Sequence, residues 1–467
     1  MINKTFPRSE FPSIWIFLFG IAFIIPLTII LGSIGSSIVK LIAIVCVPML
    51  LLIFSDFRLS YLFLILLLFI NVYFFEFAIS VFFSLVLFLL FILNYKLIKF
   101  SDFKSPILTY FVFFLLCCLP SFVTTDAMPQ NLYKMLNILA FFILITISVA
   151  AFHDQNTIKK FFKAFVLFSI VNSFFLIINA VSNQIRAFGF AGIMFVDYAG
   201  IAIVNVFIWF LLGSIQKKIL LLPVLVVLIL ASLFTQTRNS WISIFILILL
   251  IIAFFYLSNR KYGVSRRFLL TVFLLMFLSI GGIYTTLEII TPSVSERAEQ
   301  LTNSNNEVIN QKGETTSSLI TRLFIWHTAY NAFVQNPITG IGMYAFPYIS
   351  WKYNTLPNII FENYVKKKTP HIAYLAIATE TGIIGLFGYL IFIFSTIKFS
   401  YQSVKSSNSN LENLVSTSIF FTLIYITVSM LMTDAWLWNQ GIILWGIVLG
   451  LSMANRNILI EKHTVEI

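Results

Sequence analysis

Five side chains in this sequence could perform chemistry, because each lies in a polar island between long apolar runs: Arg186, Arg238, Arg322, Trp326 and His371. An arginine can bind a phosphate group through two parallel N–H bonds. A histidine can accept a proton near neutral pH, which lysine and arginine cannot do. These residue types therefore predict a site that binds an anionic group and carries out a proton transfer.

The segment TRLFIWHTAYNAFVQNPITGIG, residues 321–342, holds two of these side chains. Its spacing predicts a helix over about 318–335, which Pro337 ends. Four of its residues fall on one helical stripe: Arg322, Trp326, Ala329 and Phe333. Tryptophan and phenylalanine suit an interfacial helix whose apolar side lies in the lipid headgroup region. A plain membrane-surface helix is thus the alternative to a binding helix.

The elements that must position these residues are membrane-spanning helices. Apolar residues make up 60% of the chain and charged residues 10%, whereas a soluble protein has about a quarter charged. We predict an all-α polytopic membrane protein with about 12–14 transmembrane helices. The predicted spans are roughly 11–31, 37–55, 59–75, 77–95, 106–123, 132–152, 161–181, 190–213, 219–235, 240–258, 268–290, 371–397, 413–433 and 437–455. The first four are the least defined, so twelve is the alternative count.

Lysine and arginine are distributed unevenly among the connections between these spans. One alternating set is rich in them, for example at Lys159, Lys217 and Arg260, whereas the other short connections hold only Arg186 and Arg238. Short loops rich in lysine and arginine stay in the cytoplasm, so both termini are predicted to be cytoplasmic. The net charge of +12 then reflects membrane topology, and nucleic-acid binding is excluded.

This topology divides the chain into three parts. Residues 1–290 hold transmembrane helices 1–11, and residues 371–467 hold helices 12–14. Residues 291–370 form one long extracytoplasmic loop, which contains the interfacial helix at about 318–335. The candidate basic residues all lie on the outer face by this reasoning, which uses only the positions of charges.

Each candidate residue also has an ordinary structural explanation. Arg186 could reach lipid phosphates as a snorkelling side chain. His371 could be a helix-end histidine that bonds to water or to a carbonyl, since Pro370 fits the start of a helix. Arg238, in TQTRNSW, has no acidic neighbour within a helical turn. A cation at bilayer depth is costly unless it is paired or functional, which favours a phosphate partner for Arg238.

Three segments together resemble the O-antigen ligase and Wzy-type O-antigen polymerase family. They are RLFIWHTAYNAFVQNPITGIGMYAF, HIAYLAIATETGIIGLFGYL and TQTRNSWISI, and the resemblance covers about residues 230–390. The arginine–arginine–histidine set of the family would fall on Arg238, Arg322 and His371. One departure is that the family usually has asparagine after the histidine, where this chain has Ile372.

The resemblance implies a GT-C-like glycosyltransferase of the bacterial cytoplasmic (inner) membrane, with its active site on the periplasmic or extracellular face. A glycan would move from undecaprenyl diphosphate to an acceptor hydroxyl by one inverting displacement. Arg238 and Arg322 would bind the diphosphate and His371 would be the base, while Arg186 and Trp326 would help to bind substrate. No Asp-x-Asp motif or His/Cys cluster is present on the predicted outer face, so we predict no metal and no other cofactor.

The implied partners are an undecaprenyl-diphosphate-linked glycan, an acceptor glycan or glycolipid, membrane lipids, and a chain-length regulator or other polysaccharide assembly protein. A polymerase would join lipid-linked repeats, and a ligase would transfer the finished chain to lipid A-core. We favour a polymerase because many bacteria have several polymerases but few have more than one ligase. A lipid-linked glycan transporter and a structural assembly partner are the non-enzyme alternatives. A transporter would place charges near mid-membrane rather than at the outer boundary.

Overall fold

The structure, a computed structural model of the 467-residue chain, describes residues 73–74, 77–78, 105–123, 125–183, 194–235, 237–274, 318–434 and 441–465. Apart from one pair of two-residue strands, these residues form an all-α protein, as the sequence predicts. The longer helices are α1 (Pro106–Val123), α2 (Met128–Ala151), α3 (Gln155–Asn183), α4 (Phe195–Leu212), α5 (Ile215–Phe234), α6 (Arg238–Leu257), α7 (Ser318–Gln335), α8 (Asn358–Tyr364), α9 (Ala373–Ser406), α10 (Asn410–Ser429) and α11 (Gly441–Val465). Short helical turns occupy Asn259–Tyr262, Phe346–Ile349 and Ser350–Tyr353.

Within the described residues, eight helices are long and apolar enough to cross a membrane: α1, α3, α4, α5, α6, α9, α10 and α11. Helix α2 adds a shorter apolar stretch at Asn137–Ala151. Each of these helices coincides with a span predicted from the sequence, and most ends differ by a few residues. The largest differences are at the ends of α11, which extends to Val465 instead of residue 455, and of α9, which extends to Ser406 instead of residue 397. The spans predicted at 11–31 and 37–55, and the part of 268–290 beyond residue 274, lie outside the described residues.

At the junction between the spans predicted at 59–75 and 77–95, the structure has a small pair of strands. Tyr73–Phe74 pairs antiparallel with Phe77–Ala78. These residues are therefore not helical, and both predicted spans were extended too far towards the junction. The aromatic residues Tyr73, Phe74 and Phe77 have a high preference for extended strands.

Helices in the bundle approach one another closely where glycine meets a small side chain. On α11, Gly446 and Gly450 form a G-x-x-x-G pattern against α2. A Cβ atom added at Gly450 would lie 2.3 Å from the Cβ atom of Ser148. On α9, Gly388 lies against Cys117 of α1 in the same way. Small residues at such contacts allow backbones to pack closely in membrane helices, where the hydrophobic effect between helices is weak.

One end of the bundle gathers the lysine- and arginine-rich connections. Lys261 donates hydrogen bonds to the carbonyl groups of Val404 and Lys405 at the end of α9. Lys462 forms an ion pair with Glu412 at the start of α10, with a distance of 2.6 Å between Nζ and Oε1. The connections with many cations thus meet at one end of these helices, as the charge pattern predicts. The first residues of α6 and α9 lie at the opposite end.

Helix α7 has the predicted bounds and packs against the segment that follows it. Ile325, Ala329 and Ala332 are fully buried in a cluster that includes Phe346 and Phe361. Arg322, Trp326 and Phe333 are half-buried beside this face. The stripe of Arg322, Trp326, Ala329 and Phe333 therefore faces the protein. The sequence had suggested that its aromatic residues lie in the headgroup region.

The ITGIG turn after α7 docks onto a break in α9. Gly382 interrupts α9 with a φ of 67°, and Gly340 in the turn has a φ of 70°. The amide of Ile383 donates to the carbonyl of Pro337 at 2.8 Å, and the amide of Gly342 donates to the carbonyl of Glu380 at 2.9 Å. A Cβ atom at Gly382 would lie 2.2 Å from the Ile338 carbonyl oxygen. The glycines are thus explained by close backbone contact, without a phosphate.

Candidate active site

Arg322 is held by the beginning of α6. Its Nη1 donates to Oδ1 of Asn239 at 3.0 Å, and Nδ2 of Asn239 donates to the carbonyl of Met432 at 2.7 Å. One asparagine therefore connects three segments that are far apart in the sequence: α6, α7 and the connection after α10. The guanidinium group enters the site with its position fixed by a neutral side chain, so its charge is not cancelled by this partner.

Arg238 is the first residue of α6, directly before Asn239. The contact between Arg322 and Asn239 brings the backbone of Arg238 close to Arg322. The side chain of Arg238 is not described, so its binding of the same diphosphate as Arg322 stays a prediction. Arg186 lies outside the described residues.

Trp326 ties α7 to the segment before α9. Its indole Nε1 donates to the carbonyl of Pro370 at 2.8 Å. The indole is half-buried, so one hydrogen bond both satisfies a partly desolvated donor and fixes the backbone next to His371. Arg322 and Trp326, one helical turn apart as the sequence predicts, thus hold the start of α6 and the segment before α9, respectively.

His371 adopts an unusual backbone conformation with a φ of 58°. The sequence predicted that His371 begins the helix, but α9 begins at Ala373. Ile372 occupies the N-cap position and makes no side-chain cap. The amide of Ala373 donates instead to the carbonyl of Met430 at 3.0 Å. An asparagine at position 372 could have capped the first turn of α9 with its side chain. Here a main-chain carbonyl at the end of α10 accepts a hydrogen bond from that turn instead.

Asp434 faces the imidazole of His371. Nδ1 of His371 lies 3.9 Å from Oδ1 of Asp434, and the two side chains are 42% and 9% exposed, respectively. A distance of 3.9 Å is an ion-pair contact and too long for a hydrogen bond. Catalytic hydrogen bonds are often long before substrate binds. The carboxylate can therefore orient the ring and stabilise its protonated form, which leaves Nε2 as the nitrogen that can accept a proton.

The sequence did not identify Asp434 as a partner of His371. The predicted topology places Asp434 on the outer face, but no Asp-x-Asp motif or His/Cys cluster there draws attention to it. A usable signal was nevertheless present: Asp434 is the single carboxylate between residues 430 and 440, in the connection that follows a span on the same face.

The charges around His371 act on its imidazole in opposite directions. Burial is the largest effect and lowers the pKa of His371 below its ordinary value of 6.5. The Asp434 carboxylate raises the pKa, and the cations Arg322 and Lys368 lower it. The net pKa is lowered, so the ring is neutral at neutral pH and can act as a base. Arg322 is close enough to His371 for its charge to be felt, and Lys368 adds a cation that the sequence had not singled out.

Among the residues that the structure describes, no group of three or more His, Cys, Asp or Glu side chains is placed to hold a metal ion. His327 contacts Thr355 instead of His371, with a distance of 2.9 Å between its Nε2 and Oγ1 of Thr355. Glu380 is buried in α9 and accepts a hydrogen bond from the amide of Tyr344 at 2.8 Å. This contact gives Glu380 a structural role, since it ties the turn after α7 to α9.

Taken together, these features define a polytopic helical membrane protein that presents arginine, histidine and aspartate together at one end of its helical bundle. Residues 223–390 match the family model described as "O-Antigen ligase". The match includes Arg238, Arg322, Trp326 and His371, and it confirms the predicted resemblance over this region. Asp434 lies beyond it.

Two curated relatives are similar over a shorter region. A Rickettsia felis protein named "Putative polysaccharide ligase" is 30% identical over 155 residues, which are 32% of this chain and 35% of that protein. A Rickettsia conorii protein named as the same kind of ligase is 27% identical over 150 residues, again 32% of this chain and 35% of the relative. The similarity thus spans about a third of each relative.

Proposed function

We propose that this protein is a membrane glycosyltransferase that moves a glycan from undecaprenyl diphosphate to an acceptor hydroxyl by a metal-independent, inverting displacement. One observation carries the proposal: the cation of Arg322 acts on the imidazole of His371, which also faces the carboxylate of Asp434. A fixed cation beside a neutral base suits a reaction in which an anionic leaving group and a proton are released together.

The proposed reaction is a single displacement at the anomeric carbon. The acceptor oxygen attacks the anomeric carbon while the bond between that carbon and the diphosphate oxygen breaks. The proton of the acceptor hydroxyl moves to Nε2 of His371, and undecaprenyl diphosphate leaves with the bonding electrons. Arg322 and Arg238 bind the diphosphate as its charge increases, with Arg186 and Trp326 as further substrate-binding residues. One displacement inverts the anomeric configuration.

Asp434 and Lys368 take supporting roles in this proposal. Asp434 would orient the imidazole through Nδ1 and stabilise the imidazolium that forms during transfer. Lys368 would raise the positive potential around the diphosphate. Arg322 and Lys368 both lower the pKa of His371. Each therefore makes the neutral imidazole more populated and a somewhat weaker base.

The proposed location is the bacterial inner membrane, with both termini in the cytoplasm and the site on the periplasmic or extracellular face. It is supported by the separation of Lys261 and Lys462 at one end of the bundle from His371 at the other, since lysine-rich ends stay inside. A cysteine-accessibility experiment with a membrane-impermeant reagent would test it. We expect the cysteine of a Thr355→Cys variant to be labelled in intact spheroplasts. Labelling only after lysis would contradict the orientation.

The central experiment measures glycan transfer by the purified chain in lipid nanodiscs. His371→Ala is expected to reduce kcat by about 10²–10⁴-fold, because general-base catalysis has this worth, while binding of the lipid donor persists. His153→Ala, at the opposite end of the bundle, is the matched control. Donor binding without any transfer by the unaltered chain would instead favour a transporter.

A second variant tests the diphosphate contact. Arg322→Lys keeps the charge but loses the planar fork that binds two oxygens, so transfer is expected to fall about 10²-fold or more. Arg456→Lys, beside Ser406 at the opposite end, is the control. If Arg322→Lys transfers glycan as well as the unaltered chain, Arg322 does not bind the diphosphate through its fork. Full activity in the presence of EDTA is also expected.

Polymerase and ligase activities share this donor site and differ in the acceptor. The names of the two Rickettsia relatives favour a ligase, whereas the argument from gene numbers favoured a polymerase. Purified protein supplied with lipid-linked repeat units alone separates them. Growth of long chains identifies a polymerase, and transfer that requires added lipid A-core identifies a ligase. Chain-length regulators and other assembly proteins would then be expected partners of a polymerase.

A further inference from the structure

Three lysines on two neighbouring helices form a cluster of positive charge at the lysine-rich end of the bundle. Lys159 and Lys163 lie one turn apart near the start of α3, and Lys217 lies in the first turn of α5. The two helices pack against each other, and the charges of Lys163 and Lys217 both act on Lys159. These three residues, the lysine triad, lie outside the matched region 223–390. They are at the opposite end of the bundle from His371, so their role is separate from the proposed glycosyl transfer.

The lysine triad lacks the partners that other cations at this end of the bundle have. Nζ of Lys218 lies 4.2 Å from the ring centroid of Phe268, and Lys462 forms an ion pair with Glu412. Within the described residues, no carboxylate forms an ion pair with a member of the triad. No carboxylate is among the charges that act on Lys159 either. Because like charges repel one another, an anion bound among the three lysines would stabilise this end of the protein.

The helices that carry the triad continue into the membrane with exposed apolar faces. On α3, Leu167 and Ile178 follow Lys163 by one and by about four helical turns, which places all three on one stripe. Both apolar side chains are exposed. On α5, Leu220 lies about one turn after Lys217 and is 73% exposed. Since α3 and α5 are both long and apolar enough to cross a membrane, the lysines stand where a lipid headgroup lies and the apolar residues stand where its chains lie.

The balance of charge distinguishes one kind of lipid from others. A zwitterionic phospholipid has no net charge and would leave the repulsion in place. A lipid with one phosphodiester group would compensate one of the three positive charges, and a lipid with two would compensate most of them. Basic pockets between membrane helices are suited to such headgroups. We propose that the lysine triad binds a phospholipid with two phosphodiester groups, of the cardiolipin type, whose acyl chains lie along the exposed faces of α3 and α5.

The test measures binding of cardiolipin to the purified, delipidated full chain by native mass spectrometry, with the lipid titrated in detergent. A lysine near an anionic lipid surface contributes about 1 kcal/mol, so Lys163→Gln is expected to raise Kd about fivefold. Replacement of all three lysines by glutamine is expected to raise Kd about 100-fold on the same basis. Lys163→Arg keeps the charge and should leave Kd nearly unchanged. Lys398→Gln, which changes a lysine of α9 outside the triad, is the matched control.

The thermal unfolding midpoint gives a second readout and checks that the variants fold. Cardiolipin should raise the midpoint of the unaltered chain and of Lys398→Gln, but not that of the triple variant. Without lipid, the triple variant should unfold at the same temperature as the unaltered chain or higher, because it has lost the repulsion among the lysines. If the triple variant does not fold, the comparison of Lys163→Gln with Lys163→Arg decides the outcome, since this side chain is exposed.

Four results would overturn the proposal. Unchanged Kd in the triple variant or in Lys163→Gln would show that the triad is not the site. An equal loss of binding in Lys398→Gln would show a general effect of surface charge. Phosphatidylglycerol that binds as tightly as cardiolipin at equal phosphate concentration would contradict the assignment to two phosphodiester groups. The deacylated headgroup of cardiolipin binding as tightly as the intact lipid would show that the ligand is a soluble anion.

Discussion

Replacement of Asp434 by asparagine is the perturbation whose effect can be worked out most directly from the site. The change removes one negative charge 3.9 Å from Nδ1 of His371 and keeps the size of the side chain. At about 4 Å, two unit charges interact by about 1 kcal/mol in water and by about 4 kcal/mol at an effective dielectric constant near 20. Because the imidazole is 42% exposed, solvent screening places the value towards the lower end of this range.

An interaction of about 1–2 kcal/mol corresponds to about one pKa unit, since one unit equals 1.36 kcal/mol. The Asp434 carboxylate stabilises the protonated imidazole, so its removal lowers the pKa of His371 further below 6.5. The acidic limb of kcat/KM against pH is therefore expected to move about one unit towards lower pH. Transfer at neutral pH is expected to fall by at least about tenfold, because the ring loses its orienting partner and is a weaker base.

The assay is initial-rate transfer by the purified chain in nanodiscs, with lipid-linked donor and acceptor, measured across the range in which histidine titrates. Asp126→Asn is the matched control, because it removes a carboxylate that is paired with Lys352 and does not contribute to the pKa of His371. An Asp434→Asn profile that superimposes on that of the unaltered chain would show that the carboxylate does not act on the base. A shift towards higher pH would contradict the sign of the electrostatic argument.

Other parts of the structure give further predictions. Gly382→Ala should lower the thermal unfolding midpoint, measured by the fluorescence of exposed thiols, by several degrees more than Gly263→Ala. Both glycines have positive φ, which costs about 1–2 kcal/mol for alanine, but only at Gly382 would the Cβ atom also meet backbone; equal midpoints would contradict the docking of the turn. Trp326→Phe should keep an aromatic ring, lose the bond to Pro370 and reduce kcat about tenfold, by about the worth of one hydrogen bond; unchanged kcat would show that the bond does not position His371. The unaltered chain should retain activity down to a midpoint below pH 6.5, because the pKa of His371 is lowered, and a midpoint above pH 7 would contradict the base assignment.

The transmembrane helices and α7 were predictable because their signals are local. Long apolar runs specify spans, and Pro337 specifies the end of the helix at Gln335. The break in α9 was not predicted. Glycine in a helix costs only about 1 kcal/mol relative to alanine, so Gly382 alone does not distinguish a break from a continuous helix. Only contact with the distant turn at Gly340 shows why the break is there.

The candidate site was predictable in part for a related reason. Arg322, Trp326 and His371 lie within or close to one continuous segment, and an unusual residue type in an apolar region is visible without a structure. Asn239 and Asp434 are ordinary polar residues near span ends, and their importance comes from contacts across the bundle. The backbone of His371 has the same origin, since a φ of 58° follows from how the chain enters α9 and from no local sequence rule.

The way in which the site is held has a consequence for how its specificity can change. Three of its fixed contacts end on main-chain carbonyl groups, those of Met430, Met432 and Pro370. A main-chain acceptor does not depend on the side chain at its position, so residues around the site can vary without loss of these contacts. The contact between His371 and Asp434, in contrast, consists of side chains. Substitutions around the site would therefore alter which substrates it accepts, whereas the main-chain contacts would preserve the arrangement of Arg322 and His371.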